Sequence, residues 1–451
     1  MIRHRLLLLL LAAVGLSTPM LPAQTLDLDQ CLQLALKQNP AILKAQEELR
    51  RTHGLIVEAR APALPQLNAR GEYREIDINS LDSFPGSGGG PAENQERPWD
   101  ATVEVSQLLY SGGRVRAALR AAKLSDQVTV LDFNRVVADT ILDVRRIFYE
   151  ILLNTQLVGV REKSIELLER QFQDAKHRFD VGAVPQFNVL RAEVELANAK
   201  PPLIRARNNL RLAKERLAKL LALDAPEHAR QSTATPASGF TAVNFTGQLT
   251  DAHQPWELPA ALQQALDRRP EIQQAEKRAA LQKENVKVAH AGYKPELSIF
   301  ADYGIHNARF GDDVGDTIHG WSAGARATWP LFDGLLTKGK VDQARAELAQ
   351  AELDRADTRR AIELEVREAY SAYLQAIELL EAQKKTVEQA EESLRLAEAR
   401  FRAGTGTQLD VLSAQTALTE ARSNEVQALH DYNVALATLE RATGTSVKPA
   451  D

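Results

Sequence analysis

A long internal duplication limits what this chain can fold into more than any other feature. Ala35-Leu36 and Pro40 return 230 residues later as Ala265-Leu266 and Pro270, as Pro65 does at Pro295 and Tyr73 at Tyr303. Farther on the spacing is 222. Leu109-Tyr110-Ser111-Gly112 then matches Leu331-Phe332-Asp333-Gly334, Arg178-Phe179 matches Arg400-Phe401, Gly182 matches Gly404, and Val189-Leu190 matches Val411-Leu412. The spacing changes between strand-like segments, where loop lengths differ. A repeat this long reads as one structural unit used twice.

Each copy has the same predicted order: helix, strand, strand, long helix, helix. The helices are expected over 28–62 and 258–292, 112–181 and 334–403, and 184–222 and 407–443. The long ones, of ~70 residues, reach ~100 Å at 1.5 Å per residue, so an elongated shape is expected. Val341, Ala344, Leu348 and Ala351 mark one face of the second long helix. Val366, Ala369, Tyr373, Ile377 and Leu380 continue it, and Val387, Ala390, Leu394, Ala397 and Phe401 finish it. Steps of three and four alternate, which is a coiled-coil seam with left-handed supercoiling. Within a copy the first and last helices together are about as long as the middle one, so stacked end to end they run alongside it. Only 5% of residues are aromatic, a composition that suits long helices. Pro201-Pro202 falls inside the helix expected over 184–222 and predicts a kink, because proline lacks the amide donor and crowds the preceding turn.

The strand-like segments alternate. Trp321, Ala323, Ala325, Ala327, Trp329 and Leu331 oppose Ser322, Gly324, Arg326 and Thr328. Leu297, Ile299, Ala301, Tyr303 and Ile305 oppose Ser298, Asp302, Gly304 and His306, with Phe300 breaking the pattern. Leu67, Ala69 and Tyr73 oppose Asn68, Arg70, Glu72 and Arg74, and Trp99, Ala101, Val103, Val105 and Leu109 oppose Asp100, Thr102, Glu104 and Ser106. The runs are ~10 to 14 residues long, the length of transmembrane β-strands. Trp99, Trp321, Trp329 and Tyr303 are the candidate aromatic girdle at the lipid interface. The competing reading is a soluble hairpin with one wet face. The segments between strands, with Gly86-Ser87-Gly88-Gly89-Gly90-Pro91 in one and Gly311-Asp312-Asp313 in the other, read as loops; the glycine cluster lacks the Lys-Ser/Thr of a phosphate loop. Four strands cannot close a barrel, and open edges are not tolerated in lipid. The chain is therefore expected to assemble, a trimer leaving more room than a dimer for a channel lined by Arg70, Glu72, Asp302 and Arg326.

The N-terminus agrees with export. Arg3 and Arg5 precede an apolar run from Leu6 to Leu16, and small residues lead to Ala23, the pattern of a secretory signal peptide cut near there. No later stretch is apolar for the ~18 to 20 residues that a transmembrane helix needs. The single cysteine, Cys31, excludes an internal disulfide framework and reads as a small, half-buried helix residue rather than a lipid attachment site. The net charge of −5 is spread along the chain, with no basic block for nucleic acid. The nine histidines form no His-Glu-x-x-His or other metal-spaced cluster, and no nucleophile motif is present. No catalytic residue, cofactor or metal site is expected.

The duplicated plan resembles the TolC-like outer-membrane efflux protein family over essentially the whole mature chain. The most specific segments are Leu34-Ala35-Leu36-Lys37-Gln38-Asn39-Pro40 and Phe401-Arg402-Ala403-Gly404-Thr405-Gly406-Thr407-Gln408-Leu409-Asp410-Val411-Leu412. A weaker cognate runs from Phe179 to Leu190. The resemblance implies a mainly α chain with membrane β-strands, forming a trimeric twelve-strand β-barrel continuous with a twelve-helix coiled-coil periplasmic tunnel. It implies an exit duct of a tripartite efflux or type I secretion system, in the outer membrane and extending into the periplasm. Its partners are two further copies, outer-membrane lipid, a periplasmic adaptor and an inner-membrane transporter. The alternative is a periplasmic coiled-coil adaptor or scaffold, which needs one helical hairpin where this chain has two.

The expected organisation is a leader over 1–23, a first repeat over 24–223 with strands at about 65–78 and 99–110, and a linker over 224–257. A second repeat over 258–444 follows, with strands at about 293–306 and 319–332, then a tail over 445–451. Gly182, Val184, Gly404, Thr405 and Thr407 are candidate adaptor contacts at the two turns. Asp410, Ser413 and Asn188 are candidate gate residues. The family's pore entrance often carries aspartates on this helix; Asp410 fits that pattern and Ser413 departs from it. Two roles stay open for Asp410: one of three carboxylates converging in a trimer, each raising the others' pKa, or the acid of a Thr407-x-x-Asp410 capping box.

Overall fold

The computed structural model describes residues 24–75, 99–223, 243–252, 255–307 and 318–445. The leader, the Gly86–Pro91 cluster, the Gly311-Asp312-Asp313 loop, much of the linker and nearly all of the tail lie outside the described residues.

The elements repeat with matching helix lengths. The first copy comprises β1 (Gln24–Leu26), α1 (Leu28–Gln38), α2 (Pro40–Arg60), β2 (Gln66–Tyr73), β3 (Trp99–Ser111), α3 (Arg114–Asp180) and α4 (Gln186–Leu220). The second comprises β4 (Val243–Phe245), α5 (Leu258–Arg268), α6 (Pro270–His290), β5 (Glu296–Asn307), β6 (Ile318–Thr328), α7 (Leu336–Arg402) and α8 (Gln408–Ala442). Corresponding helices have 11, 21, 67 and 35 residues in both copies.

The helices expected over 28–62 and 258–292 are each two helices. Asn39 and Arg269 leave the helical region with ψ of 127° and 122°. Each precedes a proline, whose Cδ disfavours helical geometry at the residue before it. The breaks are used alike in both copies. Asn39 Nδ2 donates to the carbonyl of Leu220 at 2.8 Å, and Arg269 Nη1 donates to that of Ala442 at 3.2 Å. Both carbonyls end a 35-residue helix and have no partner within it. Pro201 and Pro202, by contrast, sit inside one continuous helix, α4.

The chain divides into two compact units, each drawing on both copies. The first takes Met1–Asn39, Asp143–Ala252 and Gln375–Val434. One of its core clusters gathers Leu26, Cys31, Ala35, Val144, Phe148, Ile151, Leu152, Ala213, Leu217, Leu221 and Leu249. Cys31 is fully buried rather than half-buried, and burial, with the Asp27 charge adding, pushes its thiol up to about 12. A second cluster joins α7 to α8 through Val387, Leu394, Val411, Ala414, Leu418 and Ala421.

The second unit takes Pro40–Leu142, His253–Leu374 and Ala435–Asp451. It holds the four-stranded antiparallel sheet, in the order β2-β3-β5-β6. The registers align Ala69, Val103, Tyr303 and Trp321 in one row, and Asn68, Glu104, Asp302 and Ser322 in the next. The expected strand 319–332 stops at Thr328, which pairs with Glu296. The next pair would be Trp329 with Pro295, and Pro330 follows; neither proline has an amide hydrogen to extend the ladder. Trp329 thus lies just past the strand, and its indole N–H donates to the Tyr293 carbonyl at 3.1 Å. A register shift between Leu108 and Tyr110 accounts for the lost alternation in Leu108-Leu109-Tyr110.

Candidate functional site

Two regions carry the chemistry expected from the sequence: the sheet in the second unit and the paired turns in the first. Because strand side chains alternate, the observed register sorts the sheet into two unlike faces. One carries Leu67, Tyr73, Trp99, Val103, Val105, Ile299, Ala301, Tyr303, Ile305, Trp321 and Ala323. Among the described residues no layer covers it: Trp321 is 78% exposed and Leu67 70%. The other carries Asn68, Arg70, Glu72, Asp100, Thr102, Glu104, Asp302, Ser322 and Arg326. Three of the four candidate girdle residues, Trp99, Tyr303 and Trp321, lie on the apolar face, Tyr303 directly opposite Trp321. Trp329 is exposed beyond the strand's end.

The residue that broke the alternation has a local explanation. Phe300 lies on the polar face opposite Gly324, with the Arg326 guanidinium 5.1 Å from its ring centroid. A Cβ on Gly324 would come within 3.0 Å of the ring. The glycine makes room for Phe300, and Arg326 supplies a cation–π partner. Glu104 and Asp302 are directly opposite one another, a like-charge pairing that costs stability in a sheet unless water solvates it. Asp302 accepts from Ser322 Oγ at 2.5 Å.

The two turns of the first unit close in the same way. Gly182 and Gly404 have φ of 75° and 76°. Gly182 N–H donates to the Phe179 carbonyl at 2.8 Å and Ala183 N–H to Arg178 at 2.8 Å; Gly404 N–H reaches Phe401 at 3.1 Å and Thr405 N–H reaches Arg400 at 3.0 Å. Each pair of bonds is a Schellman motif, which needs a left-handed residue where glycine is unstrained. No atom lies within 4 Å of a Cβ built on either glycine, so backbone conformation, not space, selects them. The turns are neighbours: Arg178 lies 5.0 Å from the Phe401 ring, and Val184 lines a small cleft with Gln171, Asp174, Arg178, Phe401 and Gln408. In the sequence the Arg-Phe dipeptides marked only the repeat; that Arg178 of one meets Phe401 of the other is given by the structure.

Helix α8 begins with a reciprocal cap. Thr407 N–H donates to Asp410 Oδ2 at 2.8 Å, the Thr407 hydroxyl donates to the same oxygen at 2.9 Å, and Asp410 N–H donates to Thr407 Oγ1 at 3.2 Å. The short aspartate side chain therefore reaches back. The Thr407 amide, then its hydroxyl, and the Arg400 charge hold the Asp410 carboxyl below the ordinary range. Within one chain this is opposite to the upward shift expected of three converging carboxylates. Ser413 is exposed and donates its hydroxyl to the Leu409 carbonyl at 2.8 Å. Asn188 occupies the position of Asp410 in α4, whose N-cap, Pro185, makes no side-chain capping bond.

Among the described residues no helix is long and apolar enough to cross a membrane, and no group of three or more His, Cys, Asp or Glu could hold a metal ion.

Comparison with known proteins gives a consistent result. A family model described as outer membrane efflux protein matches residues 31–223 and 261–445. The outer membrane protein TolC of Escherichia coli strain K12 is 26% identical over 440 residues, covering 94% of this chain and 83% of its own. The pyoverdine export outer membrane protein OpmQ of Pseudomonas putida is 23% identical, covering 93% of this chain and 86% of its own. The crystal structure of the Campylobacter jejuni CmeC outer membrane channel superposes with a TM-score of 0.77 at 17% identity, covering 94% of this chain and 87% of that one.

Proposed function

Because this chain belongs to the outer membrane efflux protein family and is an outer-membrane efflux channel, we propose that three copies join their sheets into one closed barrel, the polar face lining an aqueous duct. The carrying observation is the four-stranded sheet itself, with an uncovered apolar face, a charged opposite face, and β2 and β6 left as edges. An open edge and an apolar face of this size are unstable in either solvent alone. Closure in lipid removes both problems, and three copies supply twelve strands. The Glu104–Asp302 pairing is tolerable where a water-filled lumen solvates it. The duct is passive: solutes arrive from an inner-membrane pump through a periplasmic adaptor that docks at the turns around Gly182, Val184, Gly404, Thr405 and Thr407. The mature protein should fractionate with outer membranes, remain a trimer in mild detergent and conduct ions in planar bilayers. Recovery as a soluble or monomeric periplasmic protein would sink this reading.

Asp410 serves as cap and as part of the entrance in this scheme, and one substitution separates the roles. Asp410→Asn keeps an oxygen to accept from Thr407 and removes the charge. Single-channel recording should find lower cation selectivity and weaker divalent block with an unchanged melting temperature. Parental conductance would restrict Asp410 to capping.

A bulky residue at Gly404 meets no clash but must hold a positive φ, a strain of about 1 to 2 kcal/mol for an L-residue. Gly404→Leu should therefore leave trimers in the membrane while abolishing export. Normal export would move the docking surface away from this turn.

A further inference from the structure

Where the strands of the second unit meet its long helices, the polar face of the sheet opens into a cleft of about 560 Å3. Ser111, Glu296 and Thr328 form one register row of that face, and all three line the cleft. Three cations line it with them, each from a different part of the chain. Arg114 comes from the start of α3, Lys294 from the turn before β5 and Lys340 from the beginning of α7. Val288, Pro330 and Leu336 add apolar wall. Clefts of roughly 300 to 1,000 Å3 with apolar walls and a few placed charges are the usual form of small-molecule sites.

The charges in this cleft do not cancel. Glu296 is taken by Arg114, whose Nη2 lies 2.8 Å from the carboxylate. Asp333 accepts from the Thr337 N–H at 2.9 Å and so caps α7. Among the described residues Lys294 and Lys340 form no ion pair. Arg326, in the next row of the same face, adds a further positive charge. The repeated fold does not require the two lysines: at the spacings of 230 and 222 residues their counterparts are Leu64 and Ala118. Cations gathered in one cleft repel each other, and the same field attracts an anion.

We infer that this cleft binds a small organic anion, an acid group on an apolar body. The acid group meets the Lys294 and Lys340 ammonium groups, and Val288, Pro330 and Leu336 cover the apolar body. The setting rests on the duct proposed above: there the cleft opens on the wet face, and an anionic solute is retained in it on the way out.

Naphthalene-2-sulfonate is a direct probe. Equilibrium dialysis against the full chain in a nonionic detergent, with protein-free micelles as the blank, should show saturable binding. Lys294→Gln with Lys340→Gln keeps most of each stem and removes both charges. That variant should bind about tenfold more weakly, or less, with an unchanged melting temperature. Lys294→Arg with Lys340→Arg should retain binding. Methanesulfonate lacks the apolar body and should also bind about tenfold more weakly, or less. Equal binding by the parent and the glutamine variant, or equal binding of the two sulfonates, overturns the inference. Conductance of the same preparation in planar bilayers is read separately. A conducting trimer without saturable binding overturns the inference and leaves the proposed function standing. A monomer that binds the sulfonate as expected but does not conduct keeps the site and overturns the duct.

Discussion

Arg269→Ala should destabilise the second unit by about 3 to 5 kcal/mol, the usual cost of breaking a buried ion pair from one side. Arg269 is 4% exposed and donates to both carboxylate oxygens of Glu271 at 2.8 Å, to Glu365 at 2.9 Å and to the Ala442 carbonyl. Arg441 joins the same carboxylates, lying 2.9 Å from Glu271, 3.2 Å from Glu365 and 2.6 Å from Asp139. Four helices, α3, α6, α7 and α8, thus meet through two guanidinium groups. Removing Arg269 leaves Glu271, itself only 15% exposed, short of its main counter-charge. The matching position in the first copy is a built-in comparison. Asn39 makes a neutral bond to the Leu220 carbonyl, so Asn39→Ala should cost only about 1 to 3 kcal/mol. Equal losses at the two positions, measured by thermal or denaturant melting, would show that the ionic network adds nothing beyond the cap.

The same network sets a pH dependence. Burial pushes the Glu271 pKa up, but the Arg269 hydrogen bond, with the Arg269 and Arg441 charges, outweighs it and holds the carboxyl below its ordinary 4.5. Its folded pKa is depressed, so its stabilisation is fully present above 4.5 and is lost as pH falls through the lower folded value. The melting temperature should drop below pH 4.5, and Glu271→Gln should flatten that drop while lowering stability at neutral pH.

Ala301→Arg should block membrane assembly, whereas Asn68→Arg should not. Ala301 sits on the apolar face between Val105 and Ala323. In the proposed barrel a charge there would face lipid, at a cost of about 2 to 4 kcal/mol near the bilayer midplane, once per copy. Asn68 lies on the polar face opposite Glu104, where a new guanidinium meets water and a carboxylate. Heat-stable trimers recovered from outer membranes should fall sharply for the first variant. They should persist for the second, with altered ion selectivity. Equal tolerance would mean that the two faces do not divide lipid from lumen.

How much of this was legible in the sequence depended on the range of the interaction. Helix existence, strand alternation and the duplication follow from local period, and local period is written in the chain. The break before Pro40 and before Pro270 was equally local, since the rule for a residue preceding proline needs no tertiary contact; it was masked by helical periodicity on both sides. The Thr407–Asp410 cap was visible as a motif, but whether so short a side chain closes it depends on the turn geometry around Gly404.

Other features needed the assembled chain. Strand β6 ends at Thr328 because its ladder partner beyond is Pro295, a fact that exists only once the register is known. Phe300 looked like an error in the pattern until Gly324 opposite and Arg326 beside it gave the ring a place. Arg269, Glu271, Glu365, Asp139 and Arg441 are scattered over some 300 residues of sequence, and only folding brings their charges within hydrogen-bonding distance. The sequence alone determined the repeated helices and the two-faced strands, because each rests on spacing along one segment. The tertiary structure decided which strands are neighbours, where they stop and which charges share a buried site, because those depend on distances between segments that no local period encodes.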